Sequence, residues 1–355
     1  MEKPPGVGNS TTFLNNIPLV ELPQKEIVSF AKKIFNGSSK DLIFRVESDL
    51  DRCQKLWEEF STRESLFDLW DFRLAFWRGY KFSPYFITLF RAKRKTRFSL
   101  SFQEKVLSVL PLWFDGEDQQ YTWFGSSWPE DNLFFTKRID TIPLLLKLVP
   151  GKARLFCIRS QEGITDQAGL LEKDEEKYVL DIKDFTSLDN FWSLLKKKKR
   201  YNLKRDWKKI QSLDPKIVYD DFSHLDDLFR LNIGRFDGMV LDDSKSTFLP
   251  KEKQVVFKEI VNLAKDYKVR MISTIINNKI VSVDLVAIYN DIYYCLGGGC
   301  DVENYSGLGT FANLKLIEDA ISLGVEKIDF LQGDLNWKAS WRLTPIPLFK
   351  FTKEA

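Results

Sequence analysis

The sequence predicts a mixed α/β protein of two ordinary-sized domains, and three observations carry that prediction. First, residues 291–331 run strand, glycine loop, helix, strand. Ile292, Tyr293, Tyr294 and Leu296 lead into Gly297-Gly298-Gly299. Phe311, Leu314, Ile317, Ala320 and Ile321 then recur at helical spacing. Gly324 stops that helix, and Ile328-Asp329-Phe330-Leu331 follows at once. Second, Val269 to Ile276 and Ile280 to Tyr289 are apolar runs joined by Asn277-Asn278-Lys279, a hairpin signal. Third, the chain has 355 residues, 44% of them hydrophobic and 14% aromatic, enough for two buried cores.

Taken in order, residues 1–40 read as a polar tail with one helix from Pro23 to Phe35. The first domain spans 41–184. It opens with a strand, Leu42 to Val46. Cys53, Leu56, Trp57 and Phe60 then share one helix face, and Phe67 to Tyr80 is an aromatic helix whose stripe suits a core. Tyr85 to Phe90, Arg97 to Phe102, Val106 to Phe114 and Tyr121 to Gly125 read as strands, with a basic turn at Arg91 to Arg97. The second domain spans 185–355. Thr186 and Asp189 form a capping-box pattern for a helix that carries Lys196 to Lys209, with Leu203, Trp207 and Ile210 as its apolar face. Ile217 to Tyr219 is a strand, and Leu225 to Arg235 and Lys251 to Lys265 are helices that lead to the hairpin.

Composition excludes several classes of chemistry. The lone histidine, His224, is expected at the surface, so histidine triads and multi-histidine metal sites are not expected. Cys53, Cys157, Cys295 and Cys300 have no metal spacing and form no disulfide framework, which suits a reducing compartment. Residues 1–13 lack the apolar core that a signal peptide would need, so none is expected, and no run reaches the ~20 apolar residues of a membrane span. A cytoplasmic location is expected. The net charge is +3, but Lys196 to Lys209 alone carries nine basic residues and one acid, which leaves the remainder at −5. That segment reads as a solvated helix face, as a dock for an anionic substrate, or as a patch for RNA or a membrane surface.

Glycines before a helix let an anion approach unpaired amides at the positive end of the helix dipole, so the loop at Gly307 suits a phosphate or pyrophosphate. It is not a Walker A loop, because no Gly-Lys-Ser/Thr follows. As a dinucleotide fingerprint, Gly307 and Gly309 would need Ala312 as the third position, and Asp329 would stand at the opening of its strand rather than the end. On the loop alone, turn residues before an ordinary amphipathic helix are an equal reading.

The spacing Asn304-Tyr305-Ser306-Gly307-Leu308-Gly309 resembles the Gln/Arg-x-x-Gly-x-Gly/Ala loop of the GNAT acyltransferase superfamily, with Asn304 in place of Gln or Arg. Asp329-Phe330-Leu331-Gln332-Gly333-Asp334, then Trp337-Lys338 and Trp341, resembles the ending of one GNAT branch. That branch contains the acetyltransferases named for cellulose biosynthesis (CelD type) and is close to the Fem peptidoglycan-bridge transferases.

The resemblance implies tandem GNAT-like domains, the first degenerate, and a mixed sheet whose strands Ile292 to Gly298 and Ile328 to Leu331 splay around an acyl-CoA thioester. It implies coenzyme A contacts from Leu296, Gly297, Asn304, Ser306, Gly307, Leu308, Gly309 and Thr310. Acetyl-CoA or another acyl-CoA is the expected co-substrate, with no metal. Lys338 is expected to stabilise negative charge at the acyl carbonyl or to bind the acceptor, Asp284, Asp301 and Asp334 are the candidate bases, and Arg200, Arg205 and Trp337 are candidate substrate contacts. The implied reaction moves an acyl group to an amine, such as an amino sugar of a surface polysaccharide, with nucleic acid not expected as a partner. A Fem-like transferase using aminoacyl-tRNA and a non-catalytic binding protein are the alternatives.

Overall fold

The chain builds two mixed sheets in the computed structural model, which describes residues 12–13, 42–92, 104–126, 128–161, 169–236, 246–333 and 337–354. The expected helix from Pro23 to Phe35 and the strand from Arg97 to Phe102 lie outside the described residues, as does most of the basic turn between them. The first sheet holds β1 (Thr12–Phe13), β2 (Leu42–Glu47), β3 (Ser83–Ala92), β4 (Glu104–Asp115), β5 (Gln120–Trp123), β6 (Phe135–Thr136), β7 (Ala153–Arg159) and β8 (Glu172–Lys173). The second holds β9 (Lys177–Asp181), β10 (Lys216–Tyr219), β11 (Lys268–Ile276), β12 (Lys279–Tyr289), β13 (Ile292–Cys300), β14 (Lys327–Gln332) and β15 (Thr344–Ile346). The last strand, β16 (Leu348–Lys353), returns to the first sheet beside β7.

The two sheets repeat one plan. Each is an antiparallel meander closed by a single parallel pair, β5 with β7 in the first and β13 with β14 in the second. Each then takes an antiparallel strand from the other half of the sequence: β16 joins the first sheet, and β9 joins the second beside β14. The boundary read at residue 184 therefore cuts between sequence segments, whereas the sheets exchange strands across it. Local periodicity encodes which face of a strand is buried, not which neighbour it joins.

The eight helices used below are α1 (Leu50–Phe60), α2 (Trp70–Tyr80), α3 (Ile142–Lys147), α4 (Leu188–Leu194), α5 (Lys197–Gln211), α6 (Leu225–Phe236), α7 (Lys251–Asn262) and α8 (Leu308–Ser322). The aromatic stripe of α1 and α2 is core, as its spacing predicts: Trp57, Phe72 and Phe76 pack with Tyr294 and Leu296 of β13 and with Phe257 of α7. One apolar cluster thus spans both halves. Two expectations shift. The cap of α4 is Ser187 with Asn190, one residue past the predicted pair, and the basic segment forms its own helix, α5, after a break at Leu195–Lys196. His224 is half-buried rather than at the surface, with Nδ1 2.9 Å from Ser273 Oγ. The hairpin turn is as predicted: Asn277 and Asn278 both lie at positive φ (49° and 60°), which the twist of a tight hairpin requires.

No helix among the described residues is long and apolar enough to cross a membrane.

Candidate active site

The parallel pairing of β13 with β14 covers only Ile292–Lys327, Tyr293–Ile328 and Tyr294–Asp329. Beyond that point the strands part, and each shows a local cause. In β13 the register against β12 jumps from Val286–Cys295 to Leu285–Gly297, so Leu296 is a bulged residue that turns the strand. In β14 Leu331 adopts φ 63°, a left-handed conformation, and the pairing with β9 skips from Asp329–Val179 to Gln332–Lys177. Such a conformation costs about 1–3 kcal/mol in a non-glycine residue, so something must hold it.

Lys338 holds it. Its buried Nζ donates to the carbonyls of Phe330 (2.7 Å), Leu331 (2.9 Å) and Gln332 (2.9 Å), and lies 5.6 Å from the Tyr178 ring centre. An ammonium carries three N–H donors, and these carbonyls account for three. The sequence placed Lys338 at the reacting carbonyl; the structure ties it to the bend of β14 that opens the cleft. Trp337 packs edge-on to both Phe330 (5.4 Å) and Trp341 (5.1 Å), within the core under α8. Asp334 lies outside the described residues.

The glycine run lies at the end of β13, directly before Cys300 closes the strand, and each member admits a close neighbour. A Cβ on Gly297 would stand 2.9 Å from Phe248, one on Gly298 would overlap the Asp284 carboxylate, and one on Gly299 would overlap the Leu228 carbonyl of α6. Gly297 and Gly299 therefore face α6 and α7, while Gly298, Asp284 and Cys300 face α8. Among the described residues Asp284 forms no ion pair, and its carboxyl accepts a hydrogen bond from Ser282 Oγ (3.2 Å). Burial pushes its carboxyl up to about 7, with the Ser282 hydrogen bond and then Arg235 opposing. The side chain is enclosed by protein atoms yet keeps a minor fraction of its surface open to solvent. A carboxyl that titrates near neutrality is suited to proton transfer.

At the far end of β13 the chain turns into α8. Asp301 takes the backbone amide of Asn304 (3.2 Å) and its side-chain amide (2.9 Å), which closes the turn. Asn304 is thus engaged within its own loop. Gly307 caps α8 at φ 96°, a conformation only glycine adopts without strain. The amides of Gly309 and Thr310, in the first turn of α8, find no acceptor among the described residues. Ser306 is exposed beside them, and Leu308 is buried and anchors the turn from below. The orientation of α8 is set by Asp319, buried on its inner face, which takes Arg270 of β11 through both oxygens (2.6 Å each) and the Tyr293 hydroxyl of β13 (2.9 Å).

The basic helix lies beside this loop. Trp207 of α5 stacks near Phe311 (4.7 Å), and a Cβ on Gly307 would stand 3.2 Å from Asp206. Leu203 and Ile210 are buried, as their spacing predicts. Arg205 is exposed and pairs with Asp206 (2.9 Å), whereas Arg200 caps the Leu195 carbonyl (3.2 Å) at the break before α5. Among the described residues no three His, Cys, Asp or Glu side chains gather as a metal site.

The equivalent gap in the first sheet is filled. β5 and β7 pair only at Tyr121–Ala153. Beyond it, Asn132 bridges to Ile158, donates its backbone amide to Cys157 O (2.9 Å) and receives the Arg159 amide (3.0 Å). Its side chain donates to Pro129 O (2.8 Å) and Phe156 O (3.0 Å) and accepts from the buried Arg73 (2.7 Å). The segment Pro129–Leu133 therefore acts as a plug where a splayed pair would otherwise open. Its neighbour Glu130 carries no motif signal, and the sequence reading passed over it.

Comparison with known proteins agrees with this geometry. The family described as the acetyltransferase (GNAT) domain matches residues 197–339. No curated protein matches the chain significantly. Among solved structures, a conserved protein of unknown function from Bacteroides thetaiotaomicron VPI-5482 aligns with TM-score 0.52 at 12% identity, over 87% of this chain and 99% of its own. FemX aligns with TM-score 0.52 at 11% identity, over 85% and 96%. L-PGS from Bacillus licheniformis aligns with TM-score 0.51 at 11% identity, over 87% and 92%. At these identities the likeness is one of fold. The chain thus has a mixed α/β fold of two sheets built on one plan, a tandem GNAT-like fold, and its residues 197–339 are similar to the acetyltransferase (GNAT) domain.

Proposed function

We infer that the protein transfers an acyl group, acetyl in the simplest case, from acyl-CoA to a primary amine, in one site in the C-terminal half. The observation that carries this reading is the parting of β13 from β14 after Tyr294–Asp329, with the Gly307-capped start of α8 at its rim. The pyrophosphate would meet the amides of Gly309 and Thr310, with Ser306, Leu308 and Asn304 shaping the loop. The pantetheine arm would lie along β13, where the bulge at Leu296 leaves the backbone free to bond a ligand. An N–H of Leu296 or Gly297 aimed at the thioester carbonyl would stabilise the negative charge that develops there, an effect worth about 2.7–4 kcal/mol in comparable sites.

An alkyl amine with an ordinary pKa near 10.4 is mostly protonated at neutral pH, and reaching its reactive form costs roughly 4.6 kcal/mol. Asp284, titrating at about 7 beneath α8, is the candidate base, and it would take that proton through a water chain across the gap between β13 and β14 rather than by direct contact with the amine. Amine nitrogen then bonds the acyl carbon, the carbon–sulfur bond breaks, and the proton ends on the departing thiolate. Lys338 serves by keeping the cleft open through the β14 bend. Arg205 and the exposed lysines of α5 sit beside the loop and would attract an anionic acceptor, which fits an amino sugar carried on a phosphorylated donor. The CelD-type resemblance supports the amino sugar.

Calorimetry with acetyl-CoA, followed by thiol release over an amine panel that includes glucosamine, tests the reading. Binding with turnover is expected; absence of binding by acetyl-CoA and by longer acyl-CoAs would reject it. One observation favours a second reading: α5 carries the strongest positive charge of the chain, and the fold also resembles FemX. A tRNA-dependent enzyme would lose RNA affinity with a log–log salt slope of about −0.9 per neutralised phosphate on a duplex. Acyl transfer from charged tRNA, abolished by changing Lys196 to Lys199 to Gln and unaccompanied by thiol release, would select that reading instead.

A further inference from the structure

The plug that fills the first gap also delivers carboxylates to the second. Pro129–Leu133 crosses from the first sheet to β9 and β14, where Glu130, Asp131, Lys177 and Asp329 meet in the buried seam between the halves. Lys177 Nζ pairs with Asp131 (2.7 Å) and with Asp329 (2.8 Å). Burial works against the Lys177 charge, but Asp329, Asp131 and Glu130 outweigh it and hold the ammonium above its usual range. Ser65 Oγ also donates to Asp131 (3.1 Å). The cluster lies where the cleft begins. Asp329 is the last residue of β14 paired with β13, its partner being Tyr294.

Glu130 reaches further along the cleft. Its Oε1 accepts the Gln332 amide (2.6 Å) at the end of β14, three positions beyond the last pair. Its Oε2 has no hydrogen-bond partner among the described residues, although the side chain is only 3% exposed. A buried carboxyl oxygen left unpaired costs about 1–3 kcal/mol or more, so a native protein that keeps one has a use for it. Charge points the same way. Three carboxyl groups share one ammonium, and Arg73, buried beside Asn132, is spent on the carbonyls of Phe67 (2.7 Å) and Phe124 (3.2 Å) and on Asn132 (2.7 Å). With all three carboxyls ionised the seam is two positive charges short, and with Glu130 protonated it is still one short. Burial, and then Asp329, push the Glu130 carboxyl well above the usual range, with Lys177 opposing, as expected for a carboxyl without its counter-ion.

We propose that Glu130, supplied by the N-terminal half, binds the amino group of the acyl acceptor through its free Oε2 on the face of the sheet opposite α8. The acceptor class is a primary amine, bound as an ammonium or as an amine donating N–H. This rests on the reading of the cleft between β13 and β14 as the acyl-CoA site. It makes the first half a working part of the acceptor site: its own gap is closed by Asn132, and Glu130 of the same plug serves the other sheet. The amine and the donor loop then approach the cleft from opposite faces, so neither displaces the other.

The test uses full-length protein labelled with carbon-13 at the glutamate side-chain carboxyls, saturated with CoA, and methylammonium chloride as the probe. The Glu130 resonance is assigned by its loss in E130Q. Saturable movement of that resonance with methylammonium, absent with tetramethylammonium chloride at equal concentration, is expected, because only the former can donate N–H. CoA affinity measured by calorimetry should be the same in wild type and E130Q, which also reports that the variant is folded. With the best amine from the panel, E130Q should raise the amine KM at least tenfold and leave the acetyl-CoA KM unchanged. A Glu130 resonance that stays still while CoA binds would overturn the proposal and leave the donor site standing. Failure of CoA itself to bind would overturn both, since the cleft would then have another use.

Discussion

Gly309→Val separates the donor site from the fold. A Cβ at Gly309 meets nothing closer than Val302 Cγ1, at 3.7 Å, so the larger side chain enters open space over the first turn of α8. Backbone conformation there is helical, and exchanging glycine for valine inside a helix is neutral or favourable by a few tenths of a kcal/mol. The melting temperature should therefore move by less than about 2 °C. Binding should respond quite differently. The isopropyl group would stand where the pyrophosphate approaches the amides of Gly309 and Thr310. Hydrogen bonds to a charged group contribute about 1.5–3 kcal/mol each. Losing two amounts to roughly 3–6 kcal/mol, or about 10²- to 10⁴-fold in Kd. Calorimetric titration with CoA, beside a thermal melt, reads both quantities. Gly307→Ala is the contrasting control. At φ 96° and 3.2 Å from Asp206 it should cost about 1–3 kcal/mol of stability and disturb the packing of α5 on α8. Equal CoA affinity in wild type and Gly309→Val would refute the placement of the pyrophosphate.

Further outcomes follow from other parts of the molecule. The folded Asp284 carboxyl titrates at about 7 rather than 3.8, so the folded state holds that proton more tightly; this stability is full below about pH 4 and is lost as pH rises through about 7. Asp284→Asn should gain stability relative to wild type as pH rises, by up to about 4 kcal/mol, and should lose the acid limb of the kcat/KM profile near 7; equal denaturation midpoints at pH 5 and pH 8 would contradict it. Lys338→Met leaves the carbonyls of Phe330, Leu331 and Gln332 without their donor and should cost about 3 kcal/mol in chemical denaturation. Unchanged stability with lost turnover would return Lys338 to direct action on the substrate. Because Asn132 fills the first gap, calorimetry should find one CoA per chain, and two equivalent sites would show the plug to be displaceable.

Most of the local structure was legible. The hairpin at Asn277-Asn278 is a two-residue event in which the turn chemistry fixes the register of both strands. The face of α5 that buries Leu203 and Ile210, and the start of α8 at Gly307, are likewise short-range patterns. The loop proposed for the donor is read from the same kind of pattern, six contiguous residues from Asn304 to Gly309. What was misread also has local reasons. The glycine run ends its strand as the sequence suggested, but the reason for glycine there was not legible: Gly297, Gly298 and Gly299 are small to admit Phe248, Asp284 and the backbone of α6. Lys338 sits in a motif that names a residue type, whereas its partners are backbone carbonyls whose position depends on the bend at Leu331.

By itself, the sequence determined the order of elements around the proposed donor loop: a strand, a glycine-capped helix start and a second strand, an order that can hold an anion beside a parallel pair. Tertiary structure decided where the pair parts, which strands cross between the sheets, and which carboxyls reach the cleft. Glu130 lies 202 residues from the Gln332 amide it bonds, and Lys177 lies 152 from Asp329. Periodicity reports the face a side chain turns to its own neighbours; it holds no record of a partner that only the exchange of β9 and β16 brings within reach. The carboxyl cluster proposed for the acceptor is assembled across the two sheets, so it became visible only once both were in place.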